Sequence, residues 1–364
     1  MNRFLVNSAA SLVAAIAFGS LQPVRAQGVT IYGILDQSVE YLTNVNAAGD
    51  SLKRMPTLTG TVPSRIGFRG TEDLGDGLRA VFALESGLAV ATGSLNNGGR
   101  FFGRFAYVGL GGPWGTVTAG RLANMTFVAS TNEILGGNLY SNASLDSYLP
   151  NARSDNAIGY MGTFNGFSVG ATYSLGRDTA SSGGPAATNC PGEGAGGSKA
   201  CRQETALVKY DSAAAGAVLS YDVMNGGPAA LLGLSDARYR DRRTLLNGYV
   251  NWEGAKISGG VVHRHRSTTT ELTSNLWYLG VSYPVAPLWS LDAQLSRLDV
   301  KDSDADATLA VVRGTYSLSK RTMVYAMVGR IRNSGNSAVS LSAGGTVGVG
   351  MGQSGFATGL RHVF

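Results

Sequence analysis

The sequence predicts an all-β fold, a 16-stranded antiparallel transmembrane β-barrel. Three observations carry that prediction. After residue 27 the chain runs in segments of about ten residues whose side chains alternate between apolar and polar, the period of a strand with two unlike faces. The connections between segments alternate between short and long, as they do when one end of a barrel carries tight turns and the other carries loops. No later stretch approaches the roughly 20 apolar residues of a membrane-spanning helix. A chain that meets lipid with strands must close its backbone hydrogen bonds around a barrel.

The chain opens MNRFLVNSAASLVAAIAFGSLQPVRAQ, with Arg3 near the start, an apolar stretch from Leu12 to Leu21, and a break at Val24-Arg25-Ala26. This is the layout of a secretory signal peptide, residues 1–26, cleaved after Ala26. Cleavage leaves a single barrel domain over 27–364. Removing the leader takes Arg3 and Arg25 and no acid, so 28 basic and 24 acidic residues remain, a mild +4. The densest basic run, RYRDRR at 238–243, reads as a solvated loop, and no nucleic-acid patch accompanies it.

Taken in order, the first strand begins at Gly28 and ends in the long connection 45–63. The next two, SRIGFRGTEDLGDGLRAVFALESGL at 64–88, flank a turn of Glu72, Asp73, Gly75, Asp76 and Gly77, residues that supply hairpin turns. Arg65 and Arg69 fall opposite Ile66 and Phe68, while Leu78, Ala80, Phe82 and Leu84 fall opposite Arg79 and Glu85. An arginine facing lipid near mid-bilayer costs ~2–4 kcal/mol, so the arginine face belongs to a hydrated lumen. The long connection 91–100 follows, then a hairpin about Gly111-Gly-Pro-Trp-Gly115 and the long connection 122–153. Short turns at 163–166 (TFNG), 211–216, 253–255 (EGA), 284–287 and 317–320 alternate with long connections at 177–201, 225–242, 266–272, 299–306 and 333–352. Seven short and eight long connections join sixteen strands, and an even count puts both termini at the short-turn, periplasmic end.

The only two cysteines, Cys190 and Cys201, lie in a Gly/Pro/Ser-rich stretch. In an exported chain such a pair is expected to form a loop disulfide. His263 and His265 share a strand face, but two ligands flanked by Arg264 and Arg266 make a poor cation site, so no metal and no cofactor is expected. GLGGPWG at 109–115 lacks the spacing and the following helix of a phosphate loop.

Several stretches resemble the trimeric general porins of Gram-negative bacteria, particularly the beta-proteobacterial branch. GVTIYGILDQSVEYLTN (28–44) is similar to that branch's first strand, and 64–87 to its second and third. GRFAYVGLGGPWGTVTAGR (103–121) resembles strands four and five, NAIGYMGTFNGFSVGATYSLG (156–176) the following hairpin, and GLRHVF (359–364) the last strand with its terminal phenylalanine. The resemblance implies an integral outer-membrane homotrimer for passive diffusion of ions and small hydrophilic solutes. It implies an inward-folded constriction loop at about 122–153, facing a wall cluster that maps to Arg65, Arg104 and Arg153, with Arg79 and Arg121 nearby. The loop acids are Glu133 and Asp146, with Asp155 just beyond. Phe364 is implied to be the signal read by the barrel assembly machinery, and outer-membrane lipid and lipopolysaccharide are implied neighbours.

Fixed charge at a narrow, low-dielectric point of a pore selects ions, and arginine stays ionised there. At least three wall arginines against two or three acids predict weak to moderate anion preference. The competing reading pairs Arg65 and Arg69 with Glu72 or Glu85 as wall stiffening. Among other functions, a substrate-specific channel shares this architecture. A barrel enzyme would need a catalytic constellation that three histidines supply poorly, and no enzyme activity is expected. A soluble β-protein would need no lipid-facing band.

Overall fold

The structure is a computed structural model that describes residues 28–177, 190–193, 197, 199–228 and 230–364; the expected signal peptide lies outside them. Sixteen antiparallel strands form one closed barrel: β1 Thr30–Leu42, β2 Arg65–Gly75, β3 Leu78–Ala89, β4 Phe105–Gly112, β5 Gly115–Ala123, β6 Arg153–Phe164, β7 Phe167–Ser174, β8 Gln203–Asp211, β9 Ala215–Asn225, β10 Arg240–Trp252, β11 Ala255–Ser267, β12 Glu271–Ala286, β13 Trp289–Val300, β14 Ala307–Ser317, β15 Thr322–Asn333 and β16 Gln353–Val363. Each pairs with its sequence neighbours. Closure comes where β1 meets β16, from Ile34↔Val363 to Leu42↔Gly355. Two further short strands, Leu52–Arg54 and Ser94–Leu95, lie in the first and second long loops.

Alternation decides which face is which. Along β7 Phe167, Val169, Ala171 and Tyr173 are exposed, and Ser168, Gly170, Thr172 and Ser174 are buried on the inner face. At the short-turn end Trp114, Phe164, Phe167, Tyr210, Trp252 and Trp289 stand outward, an interfacial aromatic girdle.

Some expected boundaries move. The strands about the first turn extend through Glu72 and Asp73, because a bulge between Asp73 and Gly75 and left-handed backbone at Gly75, Asp76 and Gly77 confine the reversal to the last residues. β12 runs through Pro284 to Ala286, its register shifting at a bulge that tolerates the proline. The connection expected at 266–272 shrinks to 268–270, since the Ser/Thr run sustains the ladder to Ser267↔Glu271. The basic run 238–243 is not a solvated loop throughout. Its last four residues are in β10, with Asp241 and Arg243 fully buried in the lumen.

Cys190 and Cys201 are disulfide-bonded in the loop between β7 and β8. His263 bonds Asn275 and His265 bonds Thr273 and Ser267.

Candidate functional site

The connection between β5 and β6 folds into the barrel. Asn124 caps a short helix, α1 (Met125–Ala129), by accepting from Phe127 N at 3.1 Å, and Ser141 caps α2 (Asn142–Leu145) by accepting from Ala143 N at 3.1 Å. Between and beyond them the loop carries Leu135, Leu139, Tyr140, Leu145 and Leu149, all buried. These pack on Leu207, Leu245, Val262 and Leu276, side chains that point inward from the wall. Apolar residues on the inner face are stable there because the loop, rather than water, covers them.

Polar anchors fix its path. Arg243 Nε donates to Asp146 Oδ2 at 2.9 Å, and the Arg243 guanidinium lies 4.3 Å from the Tyr148 ring centroid. Tyr148 donates in turn to Asp222 at 2.7 Å, and the Thr126 hydroxyl to the same carboxylate at 2.9 Å. Burial pushes the Asp146 carboxyl up, but Arg243 and Arg264 outweigh it and hold the group below the usual carboxylate range. Toward the far wall, Glu133 Oε1 accepts from Gln294 Nε2 at 3.0 Å and from Asn142 N at 3.1 Å. No arginine or lysine pairs with Glu133 among the described residues. Burial pushes its carboxyl up to about 7, partly offset by those hydrogen bonds.

Across the lumen Arg65 and Arg104 pair with one carboxylate, and Arg153 stands near them. Arg104 Nε donates to Glu85 Oε1 at 2.5 Å, Arg65 Nε stands 3.6 Å from Glu85 Oε2, and Tyr32 Oη donates to that oxygen at 2.9 Å. Arg153 is 2% exposed and lies 4.6 Å from the ring centroid of Phe127 and 5.4 Å from that of Phe105. Its Nη1 donates to Pro150 O at 3.0 Å, while Nε and Nη2 have no hydrogen-bond partner among the described residues. A cavity of about 570 Å³ runs between Arg65 and Arg104 on one side and the loop residues Glu133 to Asn138 on the other.

The remaining expected residues are placed differently. Arg121 donates to Asp155 and, through Nε, to Gly103 O at 2.8 Å; Arg100 Nη2 reaches the same Asp155 at 3.0 Å. Asp155 is thus on the wall strand β6 between two arginines, not on the loop. Arg79 lies six residues along β3 from Glu85, roughly 20 Å toward the short-turn end, where its guanidinium is 3.5 Å from Thr116 Oγ1. Sequence reading missed Arg243, Asp241, Asp222 and the Arg313–Asp292 pair (2.7 Å) as lumen residues. The strand period runs through each, but nothing local marks which charged positions a remote loop will meet. Phe364 closes the ladder, exchanging hydrogen bonds of 3.1 Å with Gly33 in both directions and laying its ring where a Cβ at Gly33 would stand.

A model of the Gram-negative porin family matches residues 7–336. The chain is 31% identical over 97% of its length to outer membrane porin protein 32 of Delftia acidovorans, of which it covers 99%. It is 31% identical to an outer membrane porin protein of Bordetella pertussis, over 76% of this chain and 72% of that one. Among solved structures it superposes on an anion-selective porin from Comamonas acidovorans with a TM-score of 0.73, 26% identity, and coverage of 93% and 99% of the two chains.

Proposed function

The chain belongs to the Gram-negative porin family, and from that premise we propose that its pore prefers anions weakly to moderately, at an eyelet between Arg65, Arg104, Arg153 and the inward loop. It is an outer-membrane porin, a closed barrel through which small solutes diffuse passively. The observation that carries the selectivity is the imbalance at the eyelet: Arg65 and Arg104 share the single carboxylate of Glu85, and Nε and Nη2 of the neighbouring Arg153 have no hydrogen-bond partner among the described residues. Asp146 on the loop is neutralised by Arg243 on another wall, and Asp155 on β6 by Arg121 and Arg100, so of the expected acids only Glu133 faces the eyelet cavity without a cation partner among the described residues. Arg65 therefore does pair with Glu85, as the stiffening reading expects, yet the cluster keeps excess positive charge where the field is poorly screened. Likeness to a relative described as anion-selective supports the same sign. The test is the reversal potential of wild-type channels under a salt gradient.

The outer surface is divided in a way that supports a homotrimer. The outward faces of β16 and β1–β4 carry no lysine or arginine among the described residues, and present Ile31, Leu35, Val39, Val108 and Leu110. Beyond that sector, Arg330 and Arg332 on the adjoining β15 and Arg297 on β13 share outward faces with Val328 and Leu295, and Arg240 and Arg242 on β10 with Leu246, all toward the long-loop end. We assign the sector without lysine or arginine to subunit contact and the cation-rimmed sector to outer-leaflet lipid, including the phosphates of lipopolysaccharide. Terminal Phe364 is assigned both to the interfacial girdle and to recognition by the barrel assembly machinery, and residues 1–26 to export.

A further inference from the structure

The first long loop, 43–64, does more than connect strands above the membrane: residues 59–61 lie inside the barrel, and the backbone N–H and C=O of Gly60 and Thr61 and the C=O of Thr59 are all engaged. Gly60 N donates to Tyr325 Oη at 3.1 Å, and Gly60 O accepts from Arg313 Nη1 at 2.7 Å. Thr61 N donates to Asp36 Oδ2 at 3.2 Å. On the other side Thr59 O accepts from Leu139 N at 2.9 Å, and Thr61 O accepts from the Asn138 amide. Asp36, Tyr325 and Arg313 belong to the wall, on β1, β15 and β14; Asn138 and Leu139 belong to the constriction loop.

The wall partners are themselves held. Tyr325 Oη donates to Asp36 Oδ1 at 2.6 Å, and Asp292 takes both Nε (2.9 Å) and Nη2 (2.7 Å) of Arg313. Glycine is required at 60, since a Cβ there would be driven into the Tyr325 ring. Burying a backbone group without a partner is costly, so the segment has one low-energy seat and a free loop would not stay in it. Thr61, Val62 and Pro63 then line the same cavity as Arg65, Arg104 and Glu133.

We propose that residues 59–63 are a second fixed wall of the eyelet, laced between barrel and constriction loop, and that Asp36 and Tyr325 are the positioning residues that set its width. The proposal rests on the porin reading. Pore size is then set by two loops, and the constriction loop is braced on its free edge by the first.

The test uses the full mature trimer in planar bilayers. Val62→Cys is treated with a negatively charged methanethiosulfonate; the native cysteines, being bonded to each other, do not react. Modification is expected to lower unit conductance by roughly half and to weaken anion preference, because it adds bulk and negative charge at the narrowest point. The same treatment of Ala48→Cys, at the exposed tip of the loop, should change neither. Tyr325→Phe should raise open-channel current noise severalfold while leaving the sign of the reversal potential unchanged. Modified Val62→Cys channels that conduct as before, or a Tyr325→Phe channel as quiet as wild type, overturn the proposal. Wild-type channels that conduct in either case keep the porin reading separate from it.

Discussion

Arg104 Nε donates to Glu85 Oε1 at 2.5 Å, and the other oxygen of that carboxylate lies 3.6 Å from Arg65 Nε. Glu85 thus holds two like charges near each other and near Arg153. Replacing it with glutamine keeps the shape and removes the only carboxylate of the cluster. Glu85→Gln should make the pore more anion-selective and destabilise the wall by about 3 kcal/mol, the scale for breaking a buried ion pair. Reversal potential and the temperature at which the folded band is lost on a gel read the two effects separately.

Glu133 should give the pore a pH dependence. Its carboxyl titrates near 7, raised by burial, so it is neutral at pH 5.5 and charged at pH 8.5. Anion preference should therefore fall as pH rises through 7. The folded chain retains a proton that the unfolded chain has already released, so the stability contribution of this group declines over the same rise, from the ordinary carboxylate range to about 7. Selectivity of Glu133→Gln that varies with pH as strongly as that of wild type would remove Glu133 as the cause.

The Arg243–Asp146 pair anchors the constriction loop to β10. Arg243→Gln leaves Asp146 and Asp241 with one fewer cation, and the loop should leave the wall before the barrel unfolds. Limited proteolysis within 124–152 at a temperature where strands remain intact is the measurement. Acid should weaken the same anchor, but only below the ordinary carboxylate range, because the pair holds the Asp146 carboxyl down.

At the seam, Phe364 meets Gly33 through two hydrogen bonds and a ring contact. Gly33→Val would displace the ring while leaving the terminal residue in place, and deletion of Phe364 removes both. If the aromatic terminus is what the assembly machinery reads, deletion should lower assembled trimer several-fold more than Gly33→Val, with secretion across the inner membrane intact. Equal losses from the two changes would reduce Phe364 to seam packing.

The strand count and the faces were legible in the sequence because a period of two is a local signal. Ile66 and Phe68 against Arg65 and Arg69 can be read without knowing anything distant. The proposed eyelet was legible only in part. Arg65, Arg104 and Arg153 were named through resemblance, and the strand period alone would have grouped Arg69 and Arg79 with them. Arg79 is remote simply because six residues of strand carry it far along the wall. The inward anchors were hidden for a different reason. Leu207, Leu245 and Leu276 look like lipid-facing residues on the wrong side until the loop is placed over them. Asp241 and Arg243 look like surface charge until Asp146 arrives from about a hundred residues away. Thr59 to Thr61 carry no sequence mark at all, apart from a glycine whose need is set by Tyr325.

The most direct test of the arginine eyelet is the reversal potential of the mature protein in a planar bilayer under a tenfold potassium chloride gradient. It should be compared with the Arg65→Glu/Arg104→Glu variant. An anion-selective potential in wild type that moves toward cation selectivity in the variant is the predicted result. Cation selectivity in wild type, or an unchanged potential in a variant that still conducts, would contradict the arginine eyelet while leaving the barrel as it stands.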